Sequence, residues 1–106
     1  MQQKELLNKI FKDVTKIEKQ KVLNTTYPLY TVNKSDVIEL FEKIKDFTNS
    51  EPNSELKNNL LTFISENEVK INNQSTNFNE NIFKTIIQEF RESFLIRENI
   101  YYEISQ

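Results

Sequence analysis

The chain has 106 residues, with 14 Lys and Arg against 16 Asp and Glu for a net charge of −2. That is the size and balance of one small soluble domain over residues 1–106, and two domains do not fit. Mean hydropathy is −0.64, yet 39 large apolar residues, among them 12 Ile, 9 Leu and 8 Phe, are too many for a disordered chain. Gly, Ala, Cys, His and Trp are absent, which removes zinc fingers, thiol nucleophiles, Ser-His-Asp triads, P-loops and Rossmann turns. The expectation is a non-enzymatic protein with no cofactor and no metal site.

The 14 Asn, 12 Lys and 12 Ile beside no Ala or Gly match AT-rich codon usage, so neither the Asn nor the preference for Lys over Arg counts as a functional signal. Met1-Gln2-Gln3-Lys4-Glu5 lacks the apolar core of a secretory signal, and no run approaches the roughly 20 apolar residues of a membrane span. The default location is the cytoplasm, without membrane contact.

Leu7, Ile10, Val14 and Ile17, widened by Leu6 and Phe11, set an apolar stripe that predicts an amphipathic helix from about Gln3 to Leu23. Lys9, Lys12, Lys16 and Lys19 repeat the same spacing on the opposite face. Thr25 to Val32, β-branched and aromatic around Pro28, should be extended. Asn33 or Ser35 caps a second helix with Val37, Leu40, Phe41, Ile44 and Phe47 inside and Glu39, Glu42 and Asp46 outside, Lys43 being able to pair with Glu39. Turn formers over 48–54 separate it from a third helix carrying Leu56, Leu60, Phe63 and Ile64, which fades near Asn67.

Glu68-Val69-Lys70-Ile71-Asn72 alternates like a short strand, and residues 73–79 read as a polar loop ending in good N-caps. The fourth helix has the strongest apolar face: Ile82, Phe83, Ile86, Ile87, Phe90 and Phe94. Beyond Phe94 the stripe breaks, because Leu95 and Ile96 turn away from it at about 100° per residue. Fold class is therefore mainly α: a four-helix bundle-like single domain with one or two short strands near 29–32, 69–71 or 100–104.

Three surfaces compete for a role. The C-terminal stretch holds Phe94, Leu95, Ile96, Ile100, Tyr101, Tyr102 and Ile104, more apolar surface than one helix hides. It is covered by threading into the bundle, by pairing with Leu29 to Val32, or by another chain. The acidic row Glu39, Glu42 and Asp46 belongs to residues 35–68, which carry eight acids against three lysines, whereas residues 1–24 carry six lysines against three acids. Such segregation steers an encounter with a charged protein or a second copy.

The expected function is a small protein-binding domain, whether inhibitor, immunity-type neutraliser, adaptor or regulator, that occludes a partner protein. Phe94, Leu95, Ile96, Tyr101 and Tyr102 would be its anchors, with Glu39, Glu42 and Asp46 steering. The alternative is a nucleic-acid-binding regulator using Lys9, Lys12, Lys16 and Lys19, or a winged-helix reader with 68–72 as a strand and the Asn-rich loop as wing. Its third helix, opening Ser54-Glu55-Leu56-Lys57-Asn58-Asn59, offers one lysine against a glutamate, which suits a phosphate backbone poorly.

Overall fold

A computed structural model describes residues 2–24 and 29–102. Its elements in order are α1 (Gln3–Lys19), β1 (Val22–Asn24), β2 (Leu29–Asn33), α2 (Lys34–Asn49), α3 (Ser54–Asn72), β3 (Asn77–Asn79), α4 (Glu80–Glu92), β4 (Leu95–Ile96) and β5 (Asn99–Ile100). The chain is mainly helical, with four helices and a few short antiparallel strands among the described residues. None of those helices is long and apolar enough to cross a membrane.

Each helix begins or ends where local chemistry permits. Asn33 Oδ1 accepts from the backbone N–H of Ser35 at 2.9 Å and of Asp36 at 3.3 Å, starting α2. Asn53 does the same for Leu56 at 2.9 Å, and Asn79 for Asn81 at 2.9 Å. Each satisfies amide donors that would otherwise lack a partner, worth about 1 kcal/mol per cap. Helix α1 stops at Lys19, short of the expected Leu23, because Lys21 occupies the next position of the stripe after Ile17, and Val22–Asn24 leaves as a strand.

Helix α3 runs to Asn72, so the strand expected over 69–71 does not form. Ile71 is buried on the same face as Leu56, Leu60, Phe63 and Ile64, whereas Val69 points out. The expected polar loop contains β3, in which Phe78 is buried opposite Val32 of β2. Strand β2 is the middle of a three-stranded antiparallel sheet, with Leu23 opposite Tyr30 on the β1 side. The strand expected near 29–32 is therefore β2. The extended reading of 25–28 and the apolar assignment of Ile104 lie outside the described residues.

One apolar cluster joins the four helices to Val32 and Phe78 of the sheet. Seven of the eight Phe are buried in it, so ring packing organises the interior. Phe90 lies 5.5 Å from Phe63, 5.7 Å from Phe11 and 5.1 Å, edge to face, from Phe94, linking α1, α3 and α4 at one point. Pairs of this geometry contribute about 0.5–1.5 kcal/mol each beyond their buried area.

Candidate interaction surface

The C-terminal stretch folds back on itself as the hairpin β4–β5, with Leu95 opposite Ile100 and Ile96 opposite Asn99. None of its described residues pairs with Leu29 to Val32. Its turn is made by Arg97 and Glu98, both at positive φ (52° and 66°) in a chain that has no glycine to place there. That is the left-handed pair a two-residue hairpin turn demands, costing about 1 kcal/mol or more per non-glycine residue.

The expected anchors are split between two faces. Phe94 is a correction: it is fully buried, 5.9 Å from Phe47 and 6.2 Å from Tyr102, so it belongs to the core and cannot touch a partner. Ile96 and Tyr102 are half-buried against the same core and also face inward. Leu95 at 52%, Ile100 at 63% and Tyr101 at 38% exposure remain outside. Alternation accounts for the division within β4, where Leu95 points out and Ile96 in, whereas both residues of β5 are exposed and Tyr101 and Tyr102 follow it in a bend.

Tyr102 fastens the hairpin. Its hydroxyl donates to Glu51 Oε2 at 3.0 Å, and Glu51, only 4% exposed, also accepts from Gln3 Nε2 at 3.2 Å and from the Asn53 backbone N–H at 3.3 Å. This buried carboxylate is held by neutral donors from α1, the α2–α3 connection and the C-terminal segment. Burial, and then the Glu51 carboxylate, push the Tyr102 phenol well above its ordinary value. Tyr101 stacks on Tyr102 with ring centroids 4.7 Å apart, so the outer tyrosine is positioned by the inner one.

The acidic row Glu39, Glu42 and Asp46 is exposed along α2. Asp46 immediately precedes Phe47, on which Tyr102 packs 6.0 Å away, while Glu39 lies about 10 Å further back along the helix. The row thus leads away from the hairpin and does not surround it. Lys43 pairs with Asp13 of α1, not with Glu39 as expected, and Lys45 bridges Glu42 at 3.4 Å and Glu68 at 2.6 Å. Lys45's hydrogen bond to Glu68 outweighs desolvation and raises its pKa.

Lys9, Lys12, Lys16 and Lys19 are all exposed on α1. Carboxylates interleave with them: Lys16 shares a cleft with Asp13, Asp36 and Glu39, and Lys12 shares a groove of about 630 Å³ with Glu18. On that groove Arg91 stacks over the Phe11 ring at 4.5 Å, and burial lowers its pKa despite nearby Glu18. The positive and negative faces inferred from sequence therefore meet between α1 and α2.

A second groove, of about 370 Å³, runs between α3 and α4 and contains Asn59, Glu66, Asn67, Glu89, Glu92 and Ser93. Asn67 was missed in sequence as a site residue and is fully buried. Its signal is positional: it occupies the inner stripe of α3 between Phe63 and Ile71. Among the described residues no three acidic side chains are placed to hold a metal ion. Comparison with known protein families, curated proteins and solved structures found no match to this chain.

Proposed function

We propose that the chain is a four-helix-bundle-like, non-enzymatic cytoplasmic domain that binds another protein and acts by occluding it, as an inhibitor, immunity-type neutraliser, adaptor or regulator. The observation that carries this reading is the outward set Leu95, Ile100 and Tyr101 on a hairpin anchored by Phe94 at one end and Tyr102 at the other. A surface held in place before binding loses little ordering entropy, which is what lets a small apolar patch become an affinity hot spot. The acidic row Glu39, Glu42 and Asp46 supplies long-range steering toward a basic partner.

The exposed row of lysines on α1 supports a second reading, nucleic-acid binding. The carboxylates beside Lys12 and Lys16 count against it, because phosphate readers gain from unneutralised cations. One comparison separates the two. Protein retained on the wild-type chain from extracts of its native cell should be lost with Leu95→Asp/Ile100→Asp and kept with Lys12→Glu/Lys16→Glu. The reverse pattern, together with salt-sensitive binding to duplex DNA, would replace the protein-binding reading with the nucleic-acid one.

A further inference from the structure

We propose that the outer edge of β1 is a self-association surface, on which a second copy of this chain lays its own β1 antiparallel about a two-fold axis at Leu23. The inference is independent of the β4–β5 hairpin and goes beyond the protein-binding reading. It rests on the phase of the hydrogen bonds in the three-stranded sheet. The Lys34 N–H donates to the Thr76 carbonyl at 2.8 Å, continuing the β2–β3 register one pair beyond Asn33 and Asn77. Backbone groups alternate sides along an antiparallel strand, so Val32 and Tyr30 aim theirs toward β3 while Thr31 and Leu29 aim theirs toward β1. The Thr31 hydroxyl, donating to the Val22 carbonyl at 3.3 Å, agrees with that phase. Thr31 and Val22 are therefore a hydrogen-bonded pair, and Leu23, the next residue and opposite Tyr30, turns both its N–H and its C=O away from β2. None of the described residues pairs with that side of β1.

The side chains point the same way. Leu23 and Tyr30 share the sheet face of Val32 and Phe78, yet unlike those two they are exposed. Val22 is exposed on the other face. Soluble proteins ordinarily blunt such an edge with a lysine, a proline or a bulge, and Val22-Leu23-Asn24 pairs regularly with β2 and has none of these. Lys21, the residue just before it, is engaged by Glu80 at 3.2 Å and lies over the Tyr30 ring.

A second β1 is the occupant this edge describes. Leu23 is the middle residue of the strand, so antiparallel self-pairing lets Leu23 and its copy exchange two N–H···O bonds and sets Val22 opposite Asn24 of the other chain. No like charges face each other within the paired strands, and the two sheets become one of six strands. The same patch is used on both chains, which closes the assembly at two. Three residues a side make a small contact, so the chain is a monomer at micromolar concentration and pairs at about 0.1–1 mM.

The test is sedimentation equilibrium of the full chain from about 10 μM to 2 mM, with cross-chain NOEs from a mixture of isotope-labelled and unlabelled protein. The mass should rise toward that of a dimer, and Val22 Hα of one copy should show an NOE to Asn24 Hα of the other. Leu23→Pro removes the outward N–H, a change edge strands tolerate, and Leu23→Lys sets like charges face to face. Each should weaken association about 10-fold or more while the Val32 and Phe78 resonances stay in place. If Leu23→Pro disturbs those resonances, Leu23→Lys decides. A mass that stays monomeric to about 2 mM overturns the proposal, as does a dimer that survives Leu23→Lys or lacks the cross-chain NOE. The Leu95→Asp/Ile100→Asp variant should pair normally. Loss of the dimer in that variant would make the hairpin the self-contact and overturn the β1 edge, whereas a monomer throughout leaves the hairpin reading standing, so the two failures are read separately.

Discussion

Two hairpins of this protein expose similar apolar side chains but are fastened very differently. In β1–β2 all three residues of β1 are exposed, Val22 and Leu23 among them, and Tyr30 stands opposite Leu23. Besides its pairing with β2, the segment is tied to α4 by the Lys21–Glu80 ion pair at 3.2 Å, with Lys21 also over the Tyr30 ring at 4.5 Å. In β4–β5 the outward Leu95 and Ile100 are backed by Phe94 on one side and Tyr102 on the other, both packed into the core. Similar exposure thus occurs on an edge strand, β1, that is joined to the core through β2 and its buried Val32, and on a hairpin whose two flanks pack into the core directly.

Breaking the platform's inner anchor should have the largest effect. Phe94→Ala removes a ring in contact with Phe47, Phe90 and Tyr102 and should cost about 3–5 kcal/mol in urea unfolding. Next comes Tyr102→Phe, which deletes the hydroxyl on Glu51 but leaves the donors from Gln3 and Asn53. It should cost about 1–2 kcal/mol and speed amide exchange in β4–β5 more than in α2.

The same bond sets a pH dependence. Because the folded state raises the Tyr102 phenol, its contribution is fully present below the unfolded value of about 10 and declines as pH rises above it. Thermal midpoints of the wild type should fall more steeply than those of Tyr102→Phe above about pH 10. A smaller gain is expected from Glu98→Gly, which relieves a positive φ of 66° and should stabilise the hairpin by about 0.5–1 kcal/mol. Smallest of all on stability are Leu23→Asp and Leu95→Asp, each within about 0.5 kcal/mol, since both side chains are about half exposed. Their effects on partner binding should nevertheless differ, with only Leu95→Asp abolishing it.

The helices were legible from their apolar stripes because periodicity reports burial directly, and the Asn33 cap followed from its place before that stripe. What escaped notice has physical causes. Asn67 interrupts the stripe of α3 with a buried polar group, and Val69 with Ile71 then imitates strand alternation although only Ile71 faces inward. Asn33 and the end of the 73–79 stretch read as helix caps from sequence, whereas among the turn formers of 48–54 nothing singled out Asn53 as the residue that starts α3. Phe94 followed the α4 stripe faithfully into the core, and it was misassigned as an anchor because the apolar tail was read as one patch. Glu51 gave no sequence signal, since its donors come from residues up to 51 positions away.

The most direct test places a photo-crosslinking residue at position 95, 100, 22 or 12 of the chain in the cell that makes it. An anchored hairpin that is the contact surface predicts one protein adduct at positions 95 and 100, and none at 22 or 12. Adducts to nucleic acid at position 12, or protein adducts at 22 with none at 95 and 100, would contradict it.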